Sequence, residues 1–422
     1  MSTPQVAITP ELDAWLRETR RYLHMHPELS LEETNTARFV AGHLRELGIP
    51  HRTGVGGDGR PLHLPPELLA AAGITPKPTT GGNGVVALIE GGRPGKTLLL
   101  RADMDALPIE EQNDVPYRSQ RPGVMHACGH DAHTTILLGV AEVLNSLKAH
   151  LPGRVKLMFQ PAEEGPAGAL AMIHDGVLDD PPVDAALALH VDPSHRAGEI
   201  AVSGGPATAA ADTFKITVRG FGGHAARPQA AVDPIVIAAQ LVVALQTLVS
   251  REIDPLKPAV VTVGQLTAGT TDNVIPNEAT LEGTVRTYDA AVRDHIERRI
   301  GELARGLAQA MRAEANVIYL RGYPPLHNDP ALAALVQEVG RELLGPEHVY
   351  ERAPIMAAED FAYIAERVPA CMFSLGVANP ERGIRYPVHH PRFDLDEDAL
   401  AVGVRVMATA ALRWLEAHAQ DN

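Results

Sequence analysis

The sequence predicts an α/β fold interrupted by a ferredoxin-like α+β insertion. The runs "KTLLLRADMDALP", "RVKLMFQPAEEG" and "DAALALHVD" are short, continuous and apolar, and they alternate with helical stretches. That is the pattern of strands buried on both faces. Near residue 206 the rhythm changes to strict alternation. In "DTFKITVRG", Phe214, Ile216 and Val218 alternate with Thr213, Lys215, Thr217 and Arg219, so one face of that sheet is wet. The elements that follow read β-α-β-β-α-β, the ferredoxin-like order. We therefore expect a larger domain from 1–205 and 324–422, with 206–323 inserted into it. At 422 residues and 45% hydrophobic composition, the chain can support two or three domains.

The elements follow in order. "PELDAWLRETRRYLHMHPELSLEETNTARFVAGHLRELG" reads as two helices parted at Pro27, the second ending at Gly48. Residues 54–84 are rich in Gly and Pro and read as a surface insertion, with "LPPELLAAAG" a short helix inside it. Asp131 to Leu147 is a helix presenting Ile136, Leu137, Val140, Val143, Leu144 and Leu147 on one face. In the insertion, Asp233 caps a helix with Pro234 as its first residue. "AVVTVGQL" and "ATLEGTVRTY" are strands. The helix after them carries an apolar stripe of Ile296, Ile300, Leu303, Leu307 and Met311, and strand "NVIYLRG" closes the unit. The chain returns through helix "DPALAALVQEVGRELLG", strand "CMFSLG" and a helix over 396–417.

Composition narrows the function. A formal net charge of −15 disfavours nucleic acid as a partner. No unbroken apolar run approaches twenty residues, so no membrane span is expected, and the N-terminus lacks a secretory pattern. Cys128 and Cys371 are too few and too distant for a disulfide framework, which points to a cytoplasmic protein with reduced thiols.

In open α/β sheets, function gathers at the carboxyl ends of strands. Here those ends carry Glu163, Glu164 and His190, with Cys128 and His130 at a helix entrance and His389 and His390 in a late loop. Zinc or manganese accepts such a mixture of N, O and S donors. An isolated Glu-Glu pair ordinarily decorates an exposed turn. Beside a dication, however, one carboxylate can bind while its neighbour takes a proton from water.

"LHMHPELSLEE", "RADMDALPI", "MHACGHDAH", "FQPAEEGPAGA", "LHVDP", "GGHAARP", "DNVIPNEA", "AAEDFAY" and "VHHPRFD" occur in this order. Together they resemble the hippurate hydrolase and indole-acetyl-amino-acid hydrolase branch of the aminoacylase-type metallopeptidases. The resemblance covers nearly the whole chain outside 57–82. It implies a mixed-sheet, metallopeptidase-like catalytic domain, with the insertion acting as a lid or dimerisation domain. It implies Cys128, His130, Glu164, His190 and His389 as ligands of two divalent ions (manganese, zinc, cobalt or nickel) and Glu163 as general base. Asp105 would orient a ligand, and Asp103 is a doubtful one. His224 would reach the partner subunit's site and steady the oxyanion, and Asn273 would hold substrate. The implied activity is hydrolysis of N-acyl amino acids by a homodimer or dimer-based tetramer. A dipeptidase or carboxypeptidase on the same scaffold is the alternative. A metal-dependent binding protein and a Cys128–Cys371 redox protein are the readings outside that class.

Overall fold

This computed structural model describes residues 6–56, 82–165 and 167–419. The helix expected in "LPPELLAAAG" lies outside the described residues. Helix α1 (Pro10–Met25) starts where the Thr9 hydroxyl accepts the Leu12 amide and Pro10 occupies the first turn. It stops two residues before Pro27, whose ring disfavours helical geometry in the residue preceding it. Helix α2 (Thr34–Glu46) buries Val40 and Leu44.

Two strands not expected from the sequence follow, the edge strand β1 (His51–Val55) and β2 (Gly84–Glu90) beside it. Next come β3 (Arg93–Asp103), α3 (His130–Ser146), β4 (Pro152–Gln160), α4 (Gly168–His174), β5 (Ala185–Arg196) and β6 (Ile200–Ala201). The third apolar run was expected to end near His190 and Asp192, but β5 continues to Arg196 because β16 keeps pairing with it that far. Helix α3 was expected to bury one face. It is buried almost all round, since α1 and the last helix cover the side turned away from the sheet.

The smaller sheet is entered through β7 (Gly205–Thr208). The unit built on it comprises β8 (Ala210–Arg219), β9 (Gly223–His224), α5 (Pro234–Thr247), β10 (Ala259–Ala268), β11 (Val274–Ile275), β12 (Glu278–Thr287), α6 (Ala290–Ala310) and β13 (Glu314–Arg321), with β9 and β11 pairing as a separate two-stranded sheet. Strand order β10-β12-β8-β13, all antiparallel, is the ferredoxin-like arrangement. Phe214, Ile216 and Val218 face a separate apolar core made with α5 and α6. On α6, Ile296 and Ile300 are buried as expected. Ala304 and Ala308 are the deepest residues of the later turns, while Leu303, Leu307 and Met311 flank them half-buried.

The stretch Pro234–Glu252 is long and apolar enough to cross a membrane by length and composition alone, a test that a core helix also passes. In the fold its Ile237, Ala238, Leu241 and Leu245 pack into the small core, and Ile235, Val236 and Val243 are exposed.

The chain leaves through β14 (Leu326–Asn328), which pairs with β7, and continues as α7 (Pro330–Leu344), β15 (Val349–Tyr350), α8 (Ala362–Ala365), β16 (Ala370–Ala378) and α9 (Asp398–Ala417). The large mixed sheet runs β1-β2-β4-β3-β5-β16-β6-β15. One face packs on α1, α2, α3, α7 and α9, and the other on α4 and α8. Alternating residues of β3 divide between these cores: Leu98 and Leu100 enter the first and Leu99 the second. Burial on both faces is why β3, β4 and β16 read as continuous apolar runs.

Candidate metal centre and active site

Register assembles the site. Asp103 at the end of β3 lies beside Gln160 at the end of β4, and His190 of β5 lies beside Ser374 of β16. Glu163 and Glu164 follow the end of β4, after Ala162, whose backbone is left-handed (φ 57°). Gly129, at φ 84°, turns the chain from Cys128 into α3; a side chain there would collide with Val191. His389, also left-handed at φ 66°, donates its amide to Ala127 O at 2.7 Å, which ties the late loop to the Cys128 loop.

Three groups of donor atoms converge, each with all members within 4.8 Å of one another. They are Cys128–His130–His190, Cys128–Glu164–His389 and His130–Glu163–Glu164. Cys128 belongs to two of them, and its Sγ is 3.4 Å from His190 Nε2. Backbone carbonyls fix the imidazoles. His190 Nδ1 donates to Val191 O at 2.7 Å and His130 Nδ1 donates to Asp105 O at 2.8 Å, so both Nε2 atoms face the cluster. His130 Nε2 is buried with no hydrogen-bond partner. His389 Nε2 lies 2.9 Å from Glu164 Oε1, yet that oxygen has no hydrogen-bond donor.

The protonation equilibria suit a cation. Burial pushes His190 down to about 3, keeping it a neutral donor. Burial opposes a charge on His130, but Asp103 and Cys128 hold it well above the usual imidazole value. A dication at Nε2 would replace that proton. Burial also pushes the Cys128 thiol well up, and a coordinated dication would ionise it outright.

Asp105 organises this set. Its carboxylate accepts from the Glu163 amide (3.0 Å), the Glu164 amide (3.0 Å) and Ser30 Oγ (2.7 Å), with His130 Nδ1 at 3.2 Å. Asp103 is committed elsewhere. It pairs with Arg101 at 2.6 Å and accepts from His133 Nδ1 at 2.6 Å, while His133 Nε2 accepts the Val191 amide. His390 also turns away, stacking on Tyr386 at 4.5 Å and accepting the Arg392 amide, so His389 alone of the pair reaches the cluster.

Glu163 is buried, and Tyr323 OH donates to its backbone carbonyl at 2.5 Å. Burial, then Glu359, Asp360 and Glu164, push its carboxyl well above the usual range. Glu359 and Asp360 belong to a buried network that sequence reasoning missed. Fully buried Arg101 reaches Glu359 and Asp360 at 2.9 Å each and Gln160 at 2.7 Å. The motif "AAEDFAY" contained its acidic half, but nothing in local spacing linked it to Arg101.

His224 and Asn273 are not brought to the cluster within one chain. They are neighbours on the small β9–β11 pair, where Ala225 donates its amide to Asn273 O, and His224 is exposed. A cavity of about 1080 Å³ opens beside Cys128, Glu163, Glu164, His190 and His389, and its lining also includes Ala211, Thr213, Leu320 and Tyr323.

The model of peptidase family M20/M25/M40 matches residues 99–413. N-acetyl-L-cysteine deacetylase of Bacillus subtilis (strain 168) is 40% identical over 411 residues, 97% of this chain and 91% of that protein. Thermostable carboxypeptidase 1 of Saccharolobus solfataricus is 37% identical over 96% of each chain. Among solved structures, the Bacillus subtilis YXEP protein, a dinuclear metal binding peptidase of the M20 family, superposes with a TM-score of 0.79 at 33% identity, covering 97% of this chain and 99% of that one. With that model spanning most of the sequence and such relatives aligned nearly end to end, this chain belongs to peptidase family M20/M25/M40.

Proposed function

We propose that this protein is a metal-dependent amidohydrolase that cleaves N-acyl amino acids to a carboxylate and a free amino acid. The carrying observation is that two donor groups share Cys128 while Glu163 stays within reach of His130 and Glu164. One thiolate, three imidazoles and a carboxylate fit two divalent ions such as zinc, manganese, cobalt or nickel. Cys128, His130, Glu164, His190 and His389 would hold them. When bound, such ions polarise a carbonyl and lower the pKa of water towards neutrality.

The chain's own residues do the rest. Glu163 takes the proton of the attacking water and delivers it to the leaving nitrogen. Its acidic neighbours raise its proton affinity, and nearby cations offset them, which tunes it for both transfers. Asp105 holds the two glutamates and His130 in register through four contacts. His224 of a second subunit would steady the oxyanion, and Asn273 would hold substrate. The exposed Ile235, Val236 and Val243 on α5 and the exposed Val260 and Leu266 on β10 support a homodimer made through the smaller sheet. The free thiols of Cys128 and Cys371 support a cytoplasmic setting.

A screen of stripped protein reloaded with manganese, zinc, cobalt or nickel tests the reading. Acetyl- and benzoyl-amino acids should be hydrolysed. Cleavage of unblocked dipeptides alone would replace it with the peptidase alternative.

A further inference from the structure

Three polar side-chain atoms along the same cavity are buried without hydrogen-bond partners: Arg352 Nη1, Thr208 Oγ1 and Ser374 Oγ. Thr208 is 2% exposed and Ser374 1%. A buried unsatisfied donor is costly, and three facing one cavity point to a ligand that satisfies them. Arg352 is the only Lys or Arg among the described residues lining the cavity, and among those residues it enters no ion pair. Burial pulls its guanidinium below the usual range, against the more distant Asp192 and Glu359.

The three lie on segments knitted together beside the metal ligands. Ser374 is the cross-strand neighbour of His190 on one side and of Ala201 on the other, and Ala201 pairs with Tyr350. Arg352, two residues beyond Tyr350, donates its amide to Ser203 Oγ at 2.9 Å. Thr208 bridges to Ile355, three residues further on. A planar fork of donors and two hydroxyls lining one cavity match a carboxylate.

We propose that Arg352, Thr208 and Ser374 form a subsite for a carboxylate carried by the substrate. The assignment rests on the amidohydrolase reading and adds an anion requirement to it. The carboxylate of an N-acyl amino acid is separated from the scissile nitrogen by a single carbon. It could therefore occupy the subsite while the amide lies against the ligand set one strand away. A carboxylate on the acyl side has the same chemistry.

The test compares holoenzyme and Arg352→Gln on N-acetylalanine, neutral N-acetylalaninamide and N-succinylalaninamide. The subsite predicts a loss in kcat/KM of about 10- to 100-fold, mostly in KM, confined to a carboxylate-bearing substrate. Whichever carboxylate arm responds identifies the side of the amide that is anchored. Equal loss on all three substrates overturns the proposal. Arg352→Lys keeps the charge without the fork and should recover part of the loss, which also carries the test if the Gln variant fails to fold. If the wild type cleaves none of the three, the parent reading falls. Calorimetry with N-acetylalanine then decides the subsite alone: weaker binding to Arg352→Gln supports it, and equal or absent binding to both proteins overturns it.

Discussion

His389 Nε2 lies 2.9 Å from Glu164 Oε1 without making a hydrogen bond to it, at the junction of a late loop and the turn after β4. If the two converge on one ion, His389→Ala removes that ion and leaves the one held by His130 and His190. Metal analysis should fall from two equivalents towards one per chain. Two equivalents in the variant would take His389 out of the ligand set.

Cys128 is the donor common to both groups. Cys128→Ala should therefore deplete both ions and lower turnover by more than about 100-fold, beyond the 10- to 100-fold typical of losing an outer-shell partner. A fully loaded, active variant would exclude thiolate ligation.

Glu163→Gln keeps the side chain's size and removes its ability to accept a proton. Two equivalents of metal should remain while kcat falls about 10²- to 10⁴-fold. Near-normal turnover would assign the proton transfers to another group.

Asp105→Ala leaves the Glu163 and Glu164 amides without their acceptor. Metal affinity should weaken about 10- to 100-fold, with thermal stability lowered as well. Unchanged affinity in a competition titration would reduce Asp105 to a fold-stabilising role.

Lys156, buried on β4, donates to Val177 O at 2.8 Å and Pro181 O at 2.7 Å. Burial lowers its pKa to about 8, with Asp180 and Asp179 opposing. Between there and the unfolded value of about 10.4, the unfolded chain binds more protons, so this group adds stability as pH rises. Wild-type melting temperature should gain on that of Lys156→Met from pH 8 to 10. A constant difference would mean Lys156 titrates normally.

Much of this was legible from residue types. Strands buried on both faces leave unbroken apolar runs, so β3, β4 and β16 stood out. β1 did not, because its middle residues are exposed, and β2 sits directly behind the Gly- and Pro-rich stretch. Metal donors were legible because thiol, imidazole and carboxylate at strand ends have a shared chemistry. Arg352, Thr208 and Ser374 were not, since a lone arginine or hydroxyl looks alike whether solvated or sealed in a cavity. His389 was favoured over His390 by a proline frame, and the reason it reaches inward is its left-handed backbone, which no pattern of residue types displays.

The pairing of β7 with β14 makes the two crossings into the smaller sheet a single neck. Every donor of the metal cluster lies outside β8–β13, whereas Ala211, Thr213 and Leu320 of that sheet wall the cavity. A pivot at the neck would thus widen or narrow the entrance while the coordination cage stayed whole, separating admission of substrate from custody of the ions.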